Sequence, residues 1–442
     1  MNGPTSITAE PRSSRRKEAL ICLSLYLALI ALAGAAQPAG TPSRWWKGNL
    51  HTHSLWSDGD DFPEIIADWY KQRGYHFLAL SDHNVVLEGE KWIETTNKRV
   101  AAALERYLDR FGAEWVERRE ESGKQQLRLK TLTEFRGLFE EPGRFLLIPA
   151  EEITDRHLTA PVHINATNLR ELIAPQGGSN VLEVMQNNVN AVLEQRRRTG
   201  QPMVPHLNHP NFGWGVTAEE LMRVRGERFF EVYNGHPQVR NEGDAIHAGT
   251  ERMWDIILTW RLAVLNLEPI YGLAVDDAHN YGVFAPTNSN PGRGWVMARA
   301  PRLAPEAIMA ALEAGDFYAS TGVTLKNVRR GPKHYEIEIV PEVGVTYTTR
   351  FIGTRKHFDR TNEPIRTAGG EALRVTHRYS AEIGELLAEV KGVRPGYKLN
   401  GDEIYVRATV ISSKVKDNPY SEGEVEKAWT QPLIPGEPPR HF

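Results

Sequence analysis

Between Trp46 and about Ala300, short apolar runs alternate with longer stretches whose apolar residues recur every three to four positions. The short runs predict strands at 47–52, 76–81, 144–150, 161–166, 202–207, 229–234 and 270–276. The longer stretches predict helices at 62–73, 91–111, 181–198 and 249–262. Strand–helix alternation on this scale predicts parallel βαβ units. Seven such strands point to a β/α barrel more than to an open sheet. The segment 88–143 is rich in Glu, Arg and Lys and predicts a charged helical insertion between the second and third strands. Beyond about 325 the period changes. Runs at 334–340, 345–352, 373–380 and 403–413 alternate apolar and polar residues, with Gly and Pro between several of them. That pattern predicts a small β-sandwich-like domain over 326–442, behind a barrel domain over 37–325. Its histidines His334, His357 and His377 lack ligand spacing and are expected at the surface or in the core.

The 442 residues suffice for two domains of roughly 100–200 residues each. The formal net charge is −3 and the body has no long basic run. Nucleic-acid binding through phosphate neutralisation, which needs many cations on one face, is thereby disfavoured. The N-terminus differs from the rest. Arg12, Arg15, Arg16 and Lys17 precede a mainly apolar run from Ala19 to Ala36, and Ala33, Gly34 and Ala35 form an A-x-A arrangement near its end. This is the layout of a secretory signal peptide over 1–36. A retained N-terminal anchor is the alternative, because the run approaches the roughly 17–25 residues that span a bilayer. Either reading exports the body, to the periplasm or beyond the cell. Without the leader its formal charge is −5. Cys22, the only cysteine, lies within that leader. The mature body therefore has no disulfide and no thiolate, and any metal it binds must use nitrogen and oxygen ligands.

Candidate chemistry gathers at the strand ends. The first strand runs into His51, Thr52 and His53, and residues two apart on a strand point to one side. Asp58 follows between Ser57 and Gly59. The second strand ends in Ser81, Asp82 and His83, and the third in Ala150, Glu151 and Glu152. His163 lies on the fourth, His206 and His209 at the fifth, and Asp276, Asp277 and His279 at the last. A lone histidine is more often structural than ligating. Six strand ends each delivering a His, Asp or Glu are different, because in a β/α barrel those ends converge on one mouth.

The motifs NLHTHSLWSDG, LALSDHN, IPAEEIT, VHINA, NHPNFGWG, EVYNG and VDDAHNYG occur in that order over about 46–325. Together they resemble the PHP (polymerase and histidinol phosphatase) domain, and in particular its exported, carbaryl-hydrolase-like branch. The resemblance implies a distorted, TIM-like (β/α)7 barrel holding two or three divalent ions. Carried over by motif, it assigns His51, His53, Glu152 and Asp277 to a first ion. Glu152 would bridge to a second, held with His163 and His209. Asp58, His83 and His279 would hold a third, with Asp58 standing where many members have a histidine. Glu152 is preferred to Glu151 because the family acid lies two residues after the small residue, here Ala150. His206 competes with His209 in the same way.

Paired cations can share a carboxylate and a water, whose pKa falls from 15.7 toward about 7. The expected catalyst is accordingly a metal-activated hydroxide held by Glu152 and Asp277. Nitrogen and oxygen donors suit Zn, Mn or Fe. Asn84 and Asn208, with Asn165 and Asn234, are candidates to orient ligands or bind substrate. Arg293 is a candidate clamp for a substrate anion, and Phe212 and Trp214 for an aromatic wall. The expected partner is a small-molecule substrate, with no nucleic acid. The expected activity is a phosphoesterase on a small extracytoplasmic phosphate ester. Alternatives are hydrolysis of a carboxylic ester, amide or aryl carbamate, and a non-catalytic metal-binding module.

Overall fold

A computed structural model describes residues 43–436, and Gly3 apart from them. The leader and Cys22 lie outside the described residues. Among the described residues no helix is long and apolar enough to cross a membrane.

Seven strands fall where the sequence predicts them. They are β1 (Arg44–Asn49), β2 (Phe77–Leu80), and, after three strands of the insertion, β6 (Leu146–His157), β7 (Ala160–Thr167), β8 (Val204–Leu207), β9 (Phe229–Asn234) and β10 (Tyr271–Val275). Strands β2, β8, β9 and β10 are buried at every position. Both faces are covered, which is why these runs are mainly apolar and do not alternate. The helices α1 (Pro63–Gln72), α2 (Lys98–Phe111), α4 (Val181–Thr199) and α6 (Thr250–Ala263) also match, with α3 (Leu132–Phe139), α5 (Ala218–Leu221) and α7 (Pro305–Glu313) added. Helix α4 starts at Asn180, whose side chain accepts the Glu183 N–H, and stops at Gly200 in the left-handed region (φ 69°). Gly48 is fixed by close approach: a Cβ there would lie 2.1 Å from the Phe77 ring.

The pairing departs from an all-parallel barrel. β1–β2, β2–β6, β8–β9 and β9–β10 are parallel, but β7 is antiparallel to both β6 and β8. The cause is local: β6 and β7 are joined by two residues, too few for a crossover, with Leu158 at φ 54°. Among the described residues no closed ladder forms. The seven strands belong to one thirteen-stranded sheet with β10 at its edge. The sheet curls nonetheless, since Phe77, Ile148, Val204, Phe229, Leu273 and Val296 from six of its strands share one apolar cluster. Past the last ladder, a parallel bridge links Thr52 to Ala278.

The insertion 88–143 is only partly helical. Besides α2 and α3 it holds a three-stranded sheet in the order β3 (Lys91–Glu94), β5 (Lys124–Leu129), β4 (Arg118–Glu121). The predicted helix 91–111 starts at Lys98 instead, because Asn97 accepts the Arg99 N–H as its N-cap and 91–94 pairs with β5.

The C-terminal region comprises β13 (Leu325–Arg330), β14 (His334–Ile339), β15 (Tyr347–Arg355), β16 (Asn362–Glu363), β17 (Arg378–Tyr379), β18 (Glu385–Lys391), β19 (Gly396–Lys398), β20 (Glu403–Val415) and β21 (Val425–Leu433). Of the run 373–380 only Arg378–Tyr379 is strand. β1 pairs with β11 (Trp295–Ala300), β11 with β12 (Phe317–Ser320), and β12 with β21. The large sheet therefore crosses position 325 without a break and continues through β20, β15 and β18. One core cluster likewise joins Phe230, Trp254 and Ile257 to Tyr405 and Trp429.

Candidate metal centre

Backbone pairing beyond the strand ends sets the site. The Asp277 N–H donates to His51 O and the His53 N–H to Ala278 O, each at 3.0 Å. On the other side Glu152 N–H donates to Asp82 O (3.1 Å) and Asn84 N–H to Glu152 O (2.9 Å). These bonds place the segments after β1, β2 and β10 beside Glu152, which lies inside β6. Residues two apart then meet as strand geometry requires: the Nε2 atoms of His51 and His53 are 3.0 Å apart.

Glu152 is the centre of the arrangement and fully buried. Its Oε2 lies 2.8 Å from His83 Nδ1, 3.3 Å from His53 Nε2 and 3.5 Å from His51 Nε2. Despite these neighbours Oε2 accepts no hydrogen bond of good geometry. Its Oε1 lies 2.9 Å from His163 Nδ1 and 3.3 Å from His209 Nε2, and accepts the Asn208 amide at 2.8 Å. Asp277 Oδ1 lies 3.2 Å from Nε2 of both His51 and His53. Asp58 Oδ1 is 3.3 Å from His279 Nε2 and 3.7 Å from His53 Nδ1, and its Oδ2 is 3.6 Å from His83 Nε2. The turn that presents Asp58 needs Gly59, where a Cβ would sit 2.5 Å from His53 O. Arg99 from α2 donates to the Asp58 carbonyl, so the insertion braces this turn.

Ligand atoms fall into overlapping groups: His53, Asp58, His83 and His279; His51, His209 and Asp277; His51, His53 and Glu152; His83, Glu152 and His163; and His51, His206 and Glu231. All nine residues that the motif comparison assigns to metal are thus brought together. Two adjacent nitrogens 3.0 Å apart cannot both point a proton at the other, and a buried carboxylate oxygen without a donor is costly. Cations shared between these atoms would satisfy both, so the donor set fits divalent metal.

Glu151 and Glu152 separate by strand alternation, and Asp276 and Asp277 separate past the end of β10, where Asp277 is at φ 49°. Glu151 faces away, accepts the Ile173 N–H at 2.6 Å, and is pushed up to about 8 by burial. Asp276 turns from the cluster to accept the N–H groups of Gly292, Arg293 and Gly294 and the Tyr70 hydroxyl. Asp82 accepts from Ser54 and Ser57 and so holds the turn before Asp58. In the cluster itself burial opposes ionisation of Glu152 and Asp277. The surrounding imidazoles, His83 and His51 for Glu152 and His51 for Asp277, outweigh it and hold both well below the carboxylate range. His53 is pulled down to about 3, by burial first and then by His279.

The asparagines act on other side chains. Asn208 holds Glu152 and Asn165. Asn165 donates to Leu50 O and Ser81 Oγ. Asn84, exposed and at φ 49°, exchanges two hydrogen bonds with the Thr154 backbone and reaches no ligand side chain. Arg293 is not a clamp at the mouth. It is fully buried, and its guanidinium donates to the carbonyls of Gly235, Ala285, Asn288, Asn418 and Pro419. Of the two aromatics, Phe212 lies 5.1 Å from the His209 ring, whereas Trp214 stacks on His247 at 3.7 Å.

Two residues escaped the sequence reading. Glu231, in the middle of buried β9, lies 2.6 Å from His51 Nδ1. A single carboxylate within FFEVYN was the available signal. His236 lies 5.5 Å from the His279 ring and 6.2 Å from Phe212. No motif spacing marks it.

No protein-family model matches the chain, and no curated protein does. Among solved structures, one similar chain is a two-domain protein from Bacteroides vulgatus containing a predicted PHP-like metal-dependent phosphoesterase. It is 15% identical over 90% of this chain and 100% of its own, with a TM-score of 0.37. Another, named as a candidate metal-dependent phosphoesterase from Bifidobacterium adolescentis, is 14% identical over 56% of this chain and 91% of its own, with a TM-score of 0.27. Both likenesses are distant, and the functional reading rests on the side chains.

Proposed function

We propose that this chain is an exported metal-dependent hydrolase, and that it cleaves a small phosphate ester. The observation that carries the reading is Glu152 Oε2, buried among three imidazole nitrogens and accepting no hydrogen bond. His51, His53, Glu152 and Asp277 would hold one ion, Glu152, His163 and His209 a second, and Asp58, His83 and His279 a third. Bound divalent ions supply an acidified water near neutral pH and neutralise charge that builds on the substrate. The protein's own part is positioning. Asn208 fixes Glu152 through Oε1, leaving Oε2 free of donors. Asp82 and Arg99 hold the turn that carries Asp58. His236 accepts the Gln238 N–H on Nδ1, so its proton sits on Nε2, a donor beside His279 for a substrate oxygen. Burial, reinforced by His279, pulls its pKa down to about 4, keeping the ring neutral at pH 7.

A second reading keeps the metals and changes the bond to a carboxylic ester, amide or aryl carbamate. Two observations favour it: Arg293 is committed to carbonyls, and Phe212 presents an aromatic ring beside His209 and His163. Elemental analysis of protein purified without added metal should find two to three ions of Zn, Mn or Fe per chain. Aryl phosphate and aryl carbamate, assayed side by side, separate the two readings. His53→Ala should abolish whichever turnover is found. Protein that neither contains nor takes up divalent metal, and releases nothing from either substrate, refutes both.

A further inference from the structure

We propose that Glu231 is a positioning residue that fixes the tautomer of His51 and ties three ligand-bearing strand ends to one carboxylate. This rests on the metal-dependent reading above. Glu231 sits on β9, where all six residues are buried. An unpaired carboxylate there would be costly, and this one is paired at both oxygens. Oε2 accepts the His209 N–H and the Asn234 amide, each at 2.7 Å. Oε1 lies 2.6 Å from His51 Nδ1 and 3.3 Å from His206 Nε2.

An ionised carboxylate can only accept hydrogen bonds. The proton between Glu231 and His51 therefore belongs to Nδ1, and Nε2 of His51 is the nitrogen left to hold a metal. That Nε2 is the atom facing His53 and Asp277. The alternative, Glu231 as a ligand with His51 and His206, fits less well. Such an ion would take His51 through Nδ1, whereas Nε2 is the ring atom turned to His53, Asp277 and Glu152. The reach of the carboxylate extends further. The Asn234 amide nitrogen that it holds also donates to Asp277 Oδ2 at 3.1 Å. One side chain thus orients the His51 ring after β1, the His209 backbone after β8 and, through Asn234, Asp277 after β10.

The test uses Glu231→Gln. Whichever way its amide turns, one end sets an N–H group against existing donors. Metal affinity of the stripped protein, measured by competition titration with a chelator, should fall about 10–100-fold, as for other residues that support a ligand. Far-UV circular dichroism should be retained. A second measurement needs no variant. Spectra of ¹⁵N-histidine-labelled full chain should show His51 protonated at Nδ1 and not at Nε2 once metal is loaded. Equal affinity in Glu231→Gln and the unaltered protein, or a metal-loaded His51 whose proton sits on Nε2, overturns the role of Glu231 alone. Unaltered protein that binds no metal takes down the functional reading and this inference with it.

Discussion

At the scale of single residues, a side chain's role follows from what it faces. Glu151 and Glu152 are neighbours with identical chemistry, yet one accepts a backbone N–H and the other sits among imidazoles. The HxH spacing of His51 and His53 was legible because strand periodicity converts sequence distance into a shared side. Arg293 was not legible. A charged residue in a Gly-rich run reads as solvated, and only the three-dimensional arrangement shows five carbonyls converging on it. Asn208 offers a test at this scale. Its side chain is the one amide donor to Glu152 Oε1 among the described residues. Asn208→Ala should weaken metal binding and turnover about 10–100-fold with little change in fold, measured by chelator competition and steady-state kinetics.

At the scale of elements, the buried strands were readable and their partners were not. β2, β8, β9 and β10 are wholly buried, and their mainly apolar runs announce them. That β7 runs antiparallel follows from a two-residue connection between runs predicted only to within a few residues. The start of β9 supplies a pH prediction. Glu227, fully buried, accepts the N–H groups of Arg228 and Phe229 on Oε1, while Oε2 has no partner. Burial pushes its pKa up to about 8, against 4.5 for the free side chain. Between these values the folded state holds a proton that the unfolded chain has released. Stability therefore falls as pH rises through that window, by up to about 1.4 kcal/mol per pH unit from this group. Glu227→Gln keeps the Oε1 acceptor and removes the titration. Its denaturant-unfolding free energy should vary less from pH 5 to pH 8 than that of the unaltered protein.

At the scale of the whole molecule, the region after 325 is continuous with the region before it. β21 hydrogen-bonds to β12, Gln431 exchanges two hydrogen bonds with Gly272 of β10, and Tyr405 and Trp429 share a core with Trp254. Asn418 and Pro419 also take part in holding Arg293, whose other partners flank the last ligand-bearing loop. A chain ending at residue 325 would expose the β12 edge and the apolar face of α6. It should be insoluble or lack a cooperative thermal transition, whereas the full chain should show one. A soluble, metal-binding truncation would show that the region before 325 stands alone.

The sequence by itself determined the positions of the seven strands up to residue 276 and the gathering of acids and imidazoles at their ends. Those follow from short-range geometry: periodicity, backbone conformation and side-chain type. Only the tertiary structure decided which of two adjacent acids enters the cluster, that Glu231 stands behind His51, that Arg293 is engaged elsewhere, and that the C-terminal strands extend the same sheet. Each of these depends on contacts between segments far apart in the chain, and no local pattern encodes which distant group a side chain will meet.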